Sequence, residues 1–214
     1  SLDLRASGVV RSLASEERSG ALDVVIGPSP ATQPRFVLPG APAGGTAIAL
    51  KSALKFDPAG LRFDNMQANI GGADVSGRLG IGFGKPTVID GDLKAEAIDL
   101  PSLFAAATGL HAPGEKAGWS ETPFATSAWP SMIGAVTVSA ARASMLASIP
   151  ATKLRFGLRF TGHDVVAEAI EADLFGGRMS GEATLRRGGD GIGLSGRFAL
   201  RDAAATQIMA AENS

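Results

Sequence analysis

Apolar and polar side chains alternate along several short segments of this sequence. In residues 75–83, Val75, Leu79 and Ile81 fall on one side of an extended chain, and the residues between them are Ser, Arg and Gly. Residues 89–97 alternate in the same way. A period of two with one polar side is typical of an antiparallel sheet that has one face in water. The sequence therefore predicts a mainly β fold.

Turn residues separate these segments. The run Asp57-Pro58-Ala59-Gly60 predicts a tight turn, because Pro presets φ and the Asp carboxylate can accept hydrogen bonds from the backbone. The pairs Gly71-Gly72 and Gly176-Gly177 are expected to supply positive φ at the next reversal. Glycine makes up 28 of the 214 residues, about twice its usual share of roughly 7%. Frequent tight turns of this kind predict an up-and-down meander.

The same pattern occurs twice, at an offset of 104 residues. Residues 48–84 align without a gap on residues 152–188 with eight identities in 37 positions, and several substituted pairs keep their polarity. One inserted residue then raises the offset to 105. The alternative is a chance alignment of Gly/Ala-rich sequence. We interpret the pattern as an internal repeat, which is the first feature to seek in a chain of this length.

The repeat divides the chain into three parts. We expect a first β-meander repeat with an N-terminal extension at 1–109, a linker at 110–131 and a second β-meander repeat at 132–214. The linker is rich in Gly, Pro, Ser and Thr and has no periodicity. The predicted architecture is two similar antiparallel β-meander repeats that form a curved sheet or groove, each closed by a short α-helix.

The closing helices are predicted from capping and stop signals. In the first repeat, Asp99 can cap a helix, Pro101 suits its first turn and Gly109 ends it. The second helix is expected to span residues 202–211.

The chemistry-bearing residues are few. The charge is balanced, with 20 basic and 21 acidic residues, and the sequence lacks the basic stripe of a nucleic-acid-binding protein. The absence of Cys excludes disulfides, thiolate zinc sites and a Cys nucleophile. The two histidines, His111 and His163, have no Cys or second His at ligand spacing. We therefore expect no enzyme activity, no catalytic residue, no metal site and no cofactor.

Three short motifs resemble those of a known family. Residues 119–124, Trp-Ser-Glu-Thr-Pro-Phe, resemble the W-S-x-x-P-[FL] segment of AsmA-family proteins, and residues 133–140 resemble the strand that follows it. Residues 172–181 contain Leu-Phe-Gly-Gly and resemble a glycine signature of the family's C-terminal-type region. The first repeat has a weaker form at 68–77, in which Gly71 replaces the apolar residue. The resemblance covers residues 48–211.

The resemblance implies a place in the cell envelope of a Gram-negative bacterium. Members of the family have an N-terminal inner-membrane helix and a periplasmic body, and they are linked to outer-membrane assembly and to phospholipid transport along a β-groove. The chain begins at Ser1 without Met and lacks a signal peptide or an apolar run of the ~18–20 residues that span a bilayer, so we expect a piece of a longer protein. The resemblance implies that this piece belongs to the periplasmic body. The parent is expected to be tethered to the inner membrane. No catalytic residue carries over from the family.

The apolar side of the predicted strands is the candidate functional surface. If the sheet curls, this side lines a groove for phospholipid acyl chains, which gains about 25 cal/mol per Å² of apolar surface covered. The candidate lipid-facing residues are Met66, Ile70, Val75, Leu79, Ile81, Leu93, Ile170, Leu174, Met179, Leu185 and Phe198. The alternative is that these side chains form an ordinary core.

Two other functions stay open at this point. The chain is also consistent with a structural or protein-interaction module of the cell envelope that binds envelope-assembly proteins through sheet edges or the linker, without lipid. A carbohydrate-binding domain that uses Trp119 and Trp129 is the third possibility.

Overall fold

The computed structural model describes residues 4–10, 20–26, 48–70, 73–101, 131–145, 149–162, 164–188 and 191–204. Its eleven strands form one open, curved sheet, in which each strand lies beside its neighbours in the chain. The strands are β1 (Leu4–Val10), β2 (Gly20–Ile26), β3 (Ile48–Asp57), β4 (Gly60–Ile70), β5 (Ala73–Gly82), β6 (Thr87–Asp99), β7 (Met132–Ser144), β8 (Pro150–Gly162), β9 (Asp164–Leu174), β10 (Gly177–Gly188) and β11 (Gly191–Arg201). The prediction of a mainly β fold is confirmed.

The two predicted repeats share this one sheet through a parallel junction. Every described strand pair is antiparallel except the pair of β6 and β7, which run in the same direction. Parallel neighbours need a crossover of a dozen or more residues. The chain between Asp99 and Met132 supplies that length. The meander is therefore interrupted once, at the predicted linker.

Strand positions in the first half of the sheet, β1 to β6, and in the second half, β7 to β11, agree with the sequence offset of 104 residues. Strands β4 and β9 begin and end 104 residues apart. Asn65 and Ala169, also 104 residues apart, both have left-handed backbone, with φ of 52° and 51°. At each, two residues lie opposite a single residue of the following strand, which is a β-bulge. The division into separate repeats stays a prediction, but both halves bend at the same place.

The two closing helices are not confirmed. The description of the first ends at Pro101, and residues 102–109 lie outside the described part. Of the second, only residues 202–204 are described, and they are not helical. Asp202 has a φ of 56°, whereas a helix N-cap residue adopts the β region. The N–H of Ala204 donates to the carbonyl of Phe175 at 2.9 Å, which directs the chain back over the β9–β10 turn.

The turn at Asp57 is confirmed, and one glycine turn needs correction. Asp57 Oδ1 accepts hydrogen bonds from the N–H groups of Ala59, at 2.8 Å, and Gly60, at 2.9 Å. The turn after β9 consists of Phe175 and Gly176, with φ of 51° and 75°, rather than Gly176 and Gly177. Positive φ at both central residues is typical of a type I′ hairpin. The pair Gly71-Gly72 lies outside the described residues.

Removing the Asp57 carboxylate should loosen the β3–β4 turn. We expect Asp57→Ala to lower the free energy of unfolding by about 1 kcal/mol, because two backbone donors lose their acceptor. Urea denaturation measures this change. Asp57→Asn keeps an acceptor oxygen and should lose less than half as much, and equal losses for the two variants would contradict the role assigned to the hydrogen bonds.

The buried side chains are concentrated in β7 to β10. Leu154 in β8 is 1% exposed and is the largest fully buried side chain among the described residues. The cluster around it contains Val136, Val138, Ala140, Ala143, Ala151, Phe156, Ile170, Ala172 and Met179. The first half of the sheet has fewer buried side chains, among them Met66 and Ala68. The second half is therefore the better packed part of the sheet.

Candidate functional site

One face of the sheet is apolar from strand to strand, because residues directly opposite each other share a face. A first row crosses nine strands through Phe56, Leu61, Ile81, Ile89, Gly134, Phe160, Val165, Leu185 and Leu194. A second row beside it contains Leu54, Phe63, Leu79, Gly91, Val136, Leu158, Ala167, Ala183 and Gly196. No charged residue interrupts either row. We call this surface the apolar face.

The opposite surface, here called the polar face, carries the charges. Glu96 and Arg142 form an ion pair of 2.7 Å across the β6–β7 junction, and Arg159 and Glu168 form one of 3.0 Å between β8 and β9. These side chains are largely exposed, and exposed pairs contribute about 0–1 kcal/mol each. These ion pairs contribute little to stability, but their position identifies the polar face as the face of the sheet that is exposed to water.

The register places all eleven candidate residues on the apolar face. Their exposure differs. Three are buried, and these are Met66, Ile170 and Met179. Six are half-buried, and these are Val75, Leu79, Ile81, Leu93, Leu174 and Leu185. Phe198 on β11 is 54% exposed. Ile70 lies opposite Ala73 in the β4–β5 pair, and its side chain is outside the description.

Five of the candidates meet in the central cluster. Ile170 and Met179 belong to it, and Leu79, Leu93 and Leu174 pack against it. The remaining described candidates lie outside this cluster. The apolar face therefore combines a packed centre with half-covered side chains on either side of it.

The candidate lipid-facing residues predicted from the sequence did not include any residue of β7 or β8, the central strands of the apolar face. Val136, Val138, Leu154 and Phe156 occupy its most buried part. The signal was present in the sequence, because apolar residues alternate along 154–160 and 134–140 as regularly as in the segments that were selected.

Glycines on the apolar face accommodate neighbouring rings. A Cβ on Gly181 would lie 2.4 Å from Cδ1 of Phe198, and one on Gly196 would lie 2.9 Å from its Cε2. The Phe198 ring therefore covers two glycines, one on its own strand and one on β10. Aromatic cover of this kind stabilises glycines at a sheet edge.

The polar face has an open depression at the end nearest the β9–β10 turn. Its lining includes Asp173, Arg178, Ser180, Arg201 and Asp202. Lys153 lies 2.8 Å from Asp173. Its hydrogen bond, together with the positive charge of Lys153 and Arg178, lowers the pKa of the Asp173 carboxyl against a weaker opposing effect of desolvation.

The lowered pKa gives a prediction about acid conditions. The Asp173 carboxyl should titrate below its ordinary value of about 3.8, and Lys153→Met should raise that midpoint, as followed by NMR of the carboxyl carbon. Because the pKa is lower in the folded state, the stabilising effect is present above the unfolded-state pKa. It is lost as the pH falls through the folded-state value. A Lys85→Met variant serves as control, and an unchanged midpoint in Lys153→Met would contradict the assignment.

Other functional groups give no further site in the described part of the chain. No group of three or more His, Asp or Glu residues there is arranged to hold a metal ion. Among the described residues, no helix has the length and hydrophobicity to cross a bilayer. His111, His163, Trp119 and Trp129 lie outside the description.

Comparison of this chain with protein-family models, with curated proteins and with solved structures finds no match. The resemblance to the AsmA family therefore rests on the sequence motifs alone, and the apolar face is the structural feature on which a function can be argued.

Proposed function

We propose that the protein binds phospholipid acyl chains on its apolar face. In this proposal it is a non-enzymatic periplasmic segment of an AsmA-like protein, in outer-membrane assembly or phospholipid transport. The observation that supports it is the unbroken run of apolar residues across nine strands, from Phe56 to Leu194. The charged side chains that the structure describes on these strands lie on the other face.

The dimensions of the apolar face suit acyl chains. Neighbouring strands lie about 4.8 Å apart, so a row across nine strands follows a path of about 38 Å. One leaflet of a bilayer has a hydrocarbon thickness of about 15 Å, half of the ~30 Å core. A row is therefore long enough for an acyl chain to lie along it and to move from one strand to the next without leaving apolar surface.

The half-buried side chains supply the driving force. Val75, Leu79, Ile81 and Leu93 on β5 and β6 leave part of their surface to be covered. Burial of one methylene group of an acyl chain contributes about 0.8 kcal/mol to the free energy of binding, so five buried methylene groups contribute about 4 kcal/mol. Binding by surface coverage alone does not depend on headgroup chemistry, which is consistent with rows that carry no charged residue.

Native mass spectrometry tests this proposal. The protein is incubated with vesicles of phosphatidylethanolamine and phosphatidylglycerol, and in parallel with glycerophosphoethanolamine, which has the headgroup but no acyl chains. We expect complexes with the mass of one or more two-chain phospholipids and none with the headgroup alone. Complexes with the headgroup alone, or no complex with either probe, would overturn the proposal.

A second function, a protein-interaction module of the cell envelope, is favoured by a different observation. Among the strands that the structure describes, β11 lies at an edge of the sheet, and its residues from Gly193 to Arg201 are exposed. An exposed edge strand is a template for pairing with another chain.

A further inference from the structure

Strand β11 is a long edge strand with exposed apolar side chains. Among the described strands it pairs with β10 alone. Leu194, Phe198 and Leu200 all belong to the apolar face, and they are 61%, 54% and 40% exposed. Proteins usually shorten, charge or interrupt such edges to prevent unwanted pairing. This strand has eleven residues, no Pro and only Arg197 and Arg201 as charges.

Strand β11 occupies in the second half the place that β6 occupies in the first. In the β5–β6 pair, Gly77 lies opposite Leu93. In the β10–β11 pair, Gly181 lies opposite Phe198. The neighbouring pairs on the same face correspond as well. The offset is 104 residues between β5 and β10, and it is 105 residues between β6 and β11. The outer edges of β6 and β11 are therefore equivalent: corresponding residues have the same register and lie on the same face of the sheet.

The pairing at the outer edge of β6 shows which kind of strand can pair with such an edge. Strand β7 pairs with it in parallel, with Gly134 opposite Ile89, Val136 opposite Gly91 and Val138 opposite Leu93. The equivalent positions on β11 are Leu194, Gly196 and Phe198. An incoming strand of the same pattern would continue both apolar rows across the edge.

One difference between the two edges selects the charge of the incoming strand. Glu96 of β6 forms its ion pair with Arg142 of β7 at 2.7 Å. The residue of β11 at the place of Glu96 is Arg201, so the charge is reversed. Arg201 also lies directly opposite Arg178 of β10, a like-charge pair that an incoming carboxylate would relieve.

We propose that the outer edge of β11 binds an extended strand of another polypeptide in parallel. In that strand small and aliphatic residues alternate, and an acidic residue meets Arg201. A second copy of β11 fits less well, because antiparallel pairing of two such strands brings Arg197 and Arg201 of both copies onto one face, and neither strand carries an acidic residue. The binding uses backbone hydrogen bonds for affinity and the alternate side chains for selection.

Two synthetic peptides test the charge rule. Both have the sequence of residues 131–145, which forms β7, and one carries Arg142→Glu. By fluorescence anisotropy, the Glu peptide should bind more tightly than the Arg peptide by up to about fivefold, the upper limit for one cross-strand ion pair. The Arg201→Glu protein should reverse this preference. Because Arg201 is remote in the sheet from β6 and β8, a reversal also excludes exchange of the peptide with the protein's own β7.

Disulfide trapping tests the orientation, since the chain has no native Cys. By equivalence with the pairing of Lys94 and Ser139, a peptide with Ser139→Cys should cross-link to Ala199→Cys in β11, and it should not cross-link to Ser195→Cys. Cross-linking mainly to Ser195→Cys would overturn the parallel orientation. Binding no tighter than that of a scrambled peptide, no effect of Arg201→Glu, or dimers of the protein through β11 in sedimentation experiments would overturn the proposal itself. None of these outcomes depends on whether lipid binds to the apolar face.

Discussion

Replacing Gly134 with alanine is expected to lower the free energy of unfolding by about 2–4 kcal/mol. Gly134 lies on β7 at the parallel junction, with a φ of +125° that L side chains rarely adopt. A Cβ there would lie 1.9 Å from the carbonyl oxygen of Ile89 on β6. This neighbour is backbone and cannot rotate away, so the two strands must separate and lose pairing where the halves of the sheet meet.

Gly157→Ala is the matched control for this substitution. Gly157 lies on β8, next to β7, and a Cβ there would meet only Cγ of Glu168 at 3.5 Å and its carbonyl oxygen at 3.8 Å. Its backbone has no positive φ, so alanine should be neutral or slightly stabilising. Urea denaturation of the two variants measures the difference. Similar stabilities for Gly134→Ala and Gly157→Ala would show that the close approach of β6 and β7 is wrong.

Leu154→Ala is expected to have a comparable effect through a different mechanism. Leu154 is 1% exposed and lies in the cluster formed by β7 to β10. Truncation of a fully buried leucine removes apolar burial and leaves a cavity, which together cost about 2–5 kcal/mol. The midpoint of urea unfolding should fall accordingly.

Leu194→Ala provides the comparison on the same face. Leu194 belongs to the first row of the apolar face but is 61% exposed at the sheet edge. Its truncation should change the free energy of unfolding by less than about 0.5 kcal/mol. If both variants lost the same stability, the concentration of packing in β7 to β10 would be incorrect.

Strands β5, β6 and β10 were predictable because apolar and polar side chains alternate regularly along them, whereas β1 and β2 in the N-terminal extension were not predicted. A shift of one residue would move every apolar side chain of a strand to the polar face. The Asp57 turn was predictable for a similar reason, since its Asp and Pro act locally.

The parallel junction was not predictable from the same pattern. Alternation in 89–97 and 133–140 is the same whether the two strands run in parallel or in opposite directions. The role of Gly177 was also hidden, because a Cβ there would lie 2.2 Å from the carbonyl oxygen of Arg201, a residue distant in sequence. Contacts of this kind exist only once the strands are paired.

The candidate site also has one property that the sequence predicts and one that depends on the pairing of the strands. The sequence was sufficient to assign residues to the apolar face, but it could not separate Met179, which is buried, from Phe198, which is exposed. The difference comes from position in the sheet: β10 has a neighbour on both sides, whereas β11 has a described neighbour on one.

Site-specific photocrosslinking on the two faces of one strand tests the central claim most directly. Val75 and Ser76 are adjacent in β5, and they lie on the apolar and the polar face respectively. Leu185 and Arg186 repeat this arrangement in β10. Each position receives the photoreactive residue p-benzoylphenylalanine, and the protein is irradiated with phospholipid vesicles. We expect phospholipid adducts at positions 75 and 185 and none at 76 and 186. Equal adducts on both faces, or none on the apolar face of a folded protein, would contradict the proposal that this face binds acyl chains.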